Sequence, residues 1–125
     1  MAIELNHTII WSTDPKTAAA FLADILGRAA PQRFMHFEVV TLDNGASLDF
    51  AQGEAPISTQ HYAFLVSDAE FDAIFERIRS RGLAFWADPA RTKPGEINTL
   101  FGGRGVYFPD PSGHLLEIIT RPYGG

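Results

Sequence analysis

His7-Thr8-Ile9-Ile10-Trp11-Ser12-Thr13-Asp14 and His61-Tyr62-Ala63-Phe64-Leu65-Val66-Ser67-Asp68 share one layout. Each begins on a histidine, runs through residues that favour extended backbone, and reaches an aspartate seven positions later. The offset is 54 at both ends, and self-similarity at a fixed offset marks an internal duplication. A helix is expected after each run. Asp14 reads as an N-cap with Pro15 in the first turn, where a missing N–H costs nothing. Ala18, Phe21, Leu22, Ile25 and Leu26 form an apolar stripe, and Gly27 falls at a left-handed end. In the second copy Ser67 or Asp68 caps, with Glu70 placed to close a capping box from Ser67. Phe71, Ile74, Phe75 and Ile78 follow at i, i+3, i+4, i+7, and Gly82 stops the helix.

Further strands are expected in each half. Phe34 to Leu42 has strand composition, Asp43-Asn44-Gly45 is a tight hairpin signal, and Ser47 to Ala51 returns. In the second half, Leu83 to Trp86 reads as a short strand and Ala87 to Gly95 as a loop. A strand around Ile97 to Phe101 follows, interrupted by Gly102-Gly103, and Gly105 to Phe108 is the next. Asp110-Pro111-Ser112-Gly113 turns the chain into a last strand, His114 to Thr120. Gly45 to Asp49 overlays Gly113 to Glu117 at an offset of 68. The expectation is a single α+β domain of two βαβββ modules, residues 1–51 and 61–125, joined by a linker over 52–60.

Strand alternation then sorts the polar residues. His7 shares a face with Ile9 and Trp11, His61 with Ala63 and Leu65, and Glu117 with Leu115 and Ile119. If the two sheets curve together, His7, His61 and Glu117 converge, with Asp49 nearby. Two imidazoles and one carboxylate make a facial metal site for Fe, Mn, Ni or Zn that leaves coordination positions open.

Composition narrows the classes of function. The chain has 125 residues, 46% hydrophobic and 20% charged, enough to bury a core without staples. The net charge of −5, with scattered basic residues, argues against nucleic acid or an acidic membrane surface as partner. No cysteine is present, which excludes disulfides, zinc thiolates, iron–sulfur clusters and cysteine nucleophiles. Met1 to Asn6 has no signal-peptide character and no stretch approaches the roughly 18 apolar residues of a membrane span. A cytoplasmic location is the expectation.

Leu5-Asn6-His7-Thr8-Ile9, His61-Tyr62-Ala63-Phe64 and the run Gly103 to Glu117, which contains Tyr107-Phe108-Pro109-Asp110-Pro111-Ser112-Gly113-His114, carry a family likeness. Over its whole length the chain resembles the vicinal oxygen chelate superfamily. That group holds glyoxalase I, fosfomycin-resistance thiol transferases, bleomycin-resistance proteins and type I extradiol dioxygenases. The resemblance implies paired βαβββ modules closing a U-shaped mixed sheet around a central cavity. It implies a divalent metal on His7, His61 and Glu117, and a small oxygen-rich substrate chelated there for dioxygenase or lyase chemistry. It also implies a homodimer, and it matches Tyr107 to an active-site tyrosine.

Departures from the branches are equally legible. Asp49 stands where glyoxalase-like members carry a longer fourth ligand. The extradiol acid–base histidine has no match, because no histidine lies between Phe50 and Gln60. His36 is the spare histidine in a strand context and the remaining acid–base candidate. His114, beside the turn, reads as structural. Arg104, Arg91 and Lys93 are candidate anion contacts, the last two on a loop long enough to act as a lid. The rival expectation is a metal-independent drug- or metabolite-binding protein of the bleomycin-resistance type. A purely structural duplication is the third.

Overall fold

A computed structural model describes residues 2–122. The chain divides into two compact units, Met1–Ser58 and Thr59–Gly125. The first holds strand β1 (His7–Ser12), helix α1 (Pro15–Leu26) and strands β2 (Gln32–Phe34), β3 (Phe37–Thr41) and β4 (Ser47–Gln52). Its sheet runs in the order β1-β4-β3-β2. The second holds β5 (His61–Leu65), α2 (Asp68–Ser80), a 3-10 turn at Leu100–Gly102, β6 (Gly105–Pro109) and β7 (Leu115–Ile119), with sheet order β5-β7-β6. In both units the strand before the helix pairs in parallel with the last strand, β1 with β4 and β5 with β7. The remaining pairings are antiparallel. The duplication read from the two histidine runs is thus a duplication of topology, and the architecture is α+β with two modules.

Local chemistry sets the helix limits. Asp14 accepts the Thr17 N–H at the start of α1, and Gly27 ends it at φ 69, a left-handed conformation that glycine adopts without a Cβ clash. The Ser67 hydroxyl accepts the Glu70 N–H at 3.1 Å to open α2. The interior follows from alternation. Ile10, Val40, Leu48 and Phe50 are buried on one face of the first sheet, and Ala18, Ala19, Leu22 and Ile25 of α1 are buried with them. In the second unit Leu116, Ile118, Val106 and Phe108 form the buried face, and α2 turns Phe71, Ile74 and Ile78 inward. Each large apolar side chain removed from water contributes roughly 1.5–3 kcal/mol. The opposite sheet faces carry the polar residues and stay open: Ile9 and Trp11 in β1 and Leu65 in β5 are 39%, 51% and 61% exposed.

Three expected strands differ. Phe34 to Leu42 is not one strand but the β2–β3 hairpin, with Phe34 paired to Phe37 across a two-residue turn. Met35 takes φ 56 there, a left-handed conformation that its side chain gave no reason to expect. Leu83 to Trp86 contributes only isolated bridges from Trp86, to Tyr107 on one side and Pro94 on the other. The segment around Ile97 to Phe101 is likewise a single bridge, Asn98 to Gly105, followed by the 3-10 turn in which Phe101 has φ 57. Apolar side chains and extended backbone are common to strands and bridged loops, so composition does not separate the two.

Candidate metal centre

The parallel register of β5 with β7 sets His61 opposite Leu115 and Ala63 opposite Glu117, while β6 sets Tyr107 opposite Glu117 from the other side. All five residues lie on the face of the second sheet opposite Leu116, Ile118, Val106 and Phe108. His61 Nε2 lies 3.2 Å from Glu117 Oε1. His61 Nδ1 lies 3.0 Å from the Leu115 carbonyl oxygen. A carbonyl oxygen only accepts, so Nδ1 carries the proton and donates it. In the neutral ring Nε2 then presents a lone pair to a carboxylate oxygen. Two lone pairs at that distance repel unless a proton or a cation lies between them.

Burial sharpens this demand. The Glu117 side chain is 1% exposed against 47% for His61, and a buried carboxylate is costly unless neutralised. Tyr107, also buried, lies with its ring stacked on His61 at 5.8 Å between centroids. An imidazole with Nδ1 anchored on a backbone carbonyl, beside a sequestered carboxylate, is the donor set that divalent ions take. The residues present therefore fit two ligands of such an ion.

The first unit supplies the other predicted residues. His7 opens β1, with Nδ1 2.7 Å from the Asn6 side-chain oxygen. Asp49 in β4 accepts the Ser47 hydroxyl at 2.9 Å. Both line a cavity of about 520 Å³ on the open sheet face, walled by Ile9, Val39, Phe34 and Phe37. Among the described residues no three His, Asp or Glu side chains gather into a metal-holding group. His61 and Glu117 form a pair in the second unit, while His7 and Asp49 share the cavity of the first.

The remaining expected residues have structural surroundings. His36 does not sit in a strand. It lies in the exposed β2–β3 turn with its ring centroid 4.2 Å from that of Phe37. Arg104 is paired rather than offered to an anion. Its guanidinium donates to Asp72 at 2.7 Å and to Asp68 at 3.2 Å, and lies over the Phe71 ring at 4.4 Å. These bonds raise the Arg104 pKa, the Asp72 contact foremost. Arg91 lies over Trp86 at 4.9 Å. Asp88 braces the loop by accepting the Thr92 hydroxyl and the backbone N–H groups of Thr92 and Lys93, which holds its carboxyl below the usual range. These bonds tie residues 88–93 of the loop to one another.

Asp110 organises the β6–β7 turn. Its carboxylate accepts the backbone N–H groups of Ser112 at 2.9 Å and His114 at 2.8 Å. Burial nevertheless pushes its pKa above the ordinary 3.8, outweighing the hydrogen bonds and the nearby His114 that lower it. A carboxyl raised in the folded state adds stability below its unfolded pKa and loses it as pH rises through the folded value. Asp110→Asn keeps an acceptor oxygen without the charge. Its melting temperature is expected to gain on the wild type as pH rises from about 3.8 toward neutrality. Parallel thermal melts check this, and a difference independent of pH refutes it.

The chain belongs to the Glyoxalase/Bleomycin resistance protein/Dioxygenase superfamily, whose family model matches residues 4–118. Among solved structures, Oxidase ChaP-H1 shares 64% identity, covers 99% of this chain and 100% of its own, and superposes with a TM-score of 0.96. Oxidase ChaP-H2 shares 54% identity over 100% of this chain and 98% of its own, again at 0.96. Glutathione transferase FosA of Serratia marcescens is 26% identical over 124 residues, 94% of this chain and 81% of its own. Among the described residues no helix is long and apolar enough to cross a membrane.

Proposed function

We propose that the chain is a divalent-metal-dependent oxidase that acts on a small molecule carrying adjacent oxygens. The observation behind this reading is the His61 Nε2–Glu117 Oε1 pair at 3.2 Å, with Nδ1 tied to the Leu115 carbonyl. The oxidase assignment rests on the similarity to ChaP-H1 and ChaP-H2 over nearly the whole chain. In this reading His61 and Glu117 are two ligands and His7 is the third. Fe, Mn, Ni and Zn all suit that donor set. A bound divalent ion supplies Lewis acidity toward adjacent substrate oxygens. Leu115 holds the His61 tautomer, and Tyr107, its ring stacked on His61, is the active-site tyrosine of this reading. His36, in its exposed turn, receives no proton-transfer role.

A homodimer belongs to the reading, because Trp11 and Leu65 stay more than half exposed. A cytoplasmic location is consistent with the absence of cysteine. Elemental analysis of purified protein is expected to find a divalent ion near one per chain, lost in His61→Ala. Mixing His7→Ala with Glu117→Ala chains tells whether one chain or two supply the ligands, since regained binding requires two copies. No ion in the wild type, together with small-molecule binding unaffected by chelator, would favour the metal-independent binding protein instead.

A further inference from the structure

His114 is a buried polar residue that the reading above does not use; it is 1% exposed and immediately precedes β7. Its ring Nδ1 accepts the backbone N–H of Gln60 at 2.9 Å. The Gln60 carbonyl in turn accepts the Leu115 N–H at 2.9 Å. Gln60 is therefore held on both its backbone polar groups by two successive residues, and it immediately precedes His61. The next link is the His61 ring itself, whose Nδ1–H donates to Leu115. From the other side, the His114 N–H donates to the Asp110 carboxylate at 2.8 Å, and the His114 carbonyl accepts the Asp110 N–H at 2.9 Å. The Tyr62 ring meets the imidazole edge-on at 5.9 Å, which fixes its orientation.

The geometry points to His114 as a positioning residue that sets the His61 imidazole against Glu117 through the Gln60 N–H. The register of His61 on Leu115 begins at this bond, which is a side-chain acceptor placed just ahead of the parallel ladder. Without it the Gln60 N–H loses its partner and the first residue of β5 is free to shift. A shift of a few tenths of an ångström matters little to the ladder, but it matters to a pair that must share one ion. The role requires a neutral acceptor at Nδ1, not a charge. An asparagine offers one, with its Oδ1 close to where Nδ1 stood, and a leucine does not.

This inference rests on His61 and Glu117 being metal ligands, and the test separates the two. Zn²⁺ affinity is measured by competition with a chromogenic indicator for the wild type and for His61→Ala, His114→Leu and His114→Asn. The expected result is an affinity weakened about 10- to 100-fold in His114→Leu, the scale found for residues that orient a ligand, and restored in His114→Asn. Wild-type affinity in His114→Leu, with or without a lowered melting temperature, overturns the positioning role while leaving the metal reading intact. Affinity unchanged in His61→Ala overturns the metal reading, and the positioning role falls with it. Should His114→Leu not fold, amide exchange in the wild type decides. Binding couplings are reciprocal, so saturating Zn²⁺ is expected to slow exchange at the Gln60 amide, and an unaltered rate refutes the role.

Discussion

Glu117→Gln is expected to abolish divalent-ion binding and to lower turnover by about 10³-fold or more, while leaving the fold intact. The magnitude follows from the several kcal/mol that a Lewis-acidic ion contributes, at 1.36 kcal/mol per tenfold. The structural preservation follows from the geometry. Glu117 is buried in β7, and the substituted amide has nearly the same shape. Its NH₂ group can donate to the His61 Nε2 lone pair across the same 3.2 Å that separates the native atoms. That hydrogen bond satisfies both groups where the native pair requires a proton or an ion. The variant is therefore expected to melt no lower than the metal-free wild type. Elemental analysis, a thermal melt and a turnover assay on the same sample give the three readings together. A Glu117→Gln protein that still holds one ion per chain with native affinity would show that the carboxylate is not a ligand.

Phe50→Ala is expected to cost about 3–5 kcal/mol, the range for emptying an aromatic site in a close-packed core. Phe50 is 1% exposed and lies in β4, which is hydrogen-bonded on both edges, to β1 at Ile10 and to β3 at Glu38. The lost ring leaves a cavity that neither neighbouring strand can close without breaking its ladder. Against a total stability of about 5–15 kcal/mol, this is a large fraction. For a chain of this length it corresponds to a melting temperature lower by on the order of 10–20 °C. The effect reaches the open face as well. Phe50 and Asp49 point to opposite sides of β4, so the buried ring holds Asp49 toward the cavity. Denaturant titration with an unchanged slope measures the loss, and a change under 1 kcal/mol would mean that the site collapses around the vacancy.

The parts of the fold that were legible in the sequence are those fixed by short-range chemistry. Asp14, Pro15 and Gly27 mark the limits of α1 because each meets a local backbone need. Ser67 and the i, i+3, i+4, i+7 apolar run do the same for α2. Strand alternation sorted His61 and Glu117 onto strand faces, but the parallel pairing of β5 with β7 that sets them 3.2 Å apart spans 56 residues and was not legible. The Met35–His36 turn was not, because it depends on a left-handed methionine where no glycine or asparagine signals it. The bond from Gln60 to His114 spans 54 residues and depends on a ring orientation that no local pattern encodes. Arg104 illustrates the same limit. Its charge was visible, but its partners Asp68 and Asp72 lie 36 and 32 residues away.

The imidazole and the carboxylate of the candidate site are separated by 56 residues of chain and joined only through the parallel ladder of β5 with β7. Such a pair differs from ligand sets carried on one short loop, which an ion can recruit before anything else has formed. Closing so long a segment is an entropic step that must precede coordination, and parallel pairing is slow to form. If His61 and Glu117 hold an ion as proposed, its uptake is expected to be a late event in folding. Its rate after dilution from denaturant reports the arrival of native topology, and a chelator present during refolding leaves that rate of chain closure unaltered.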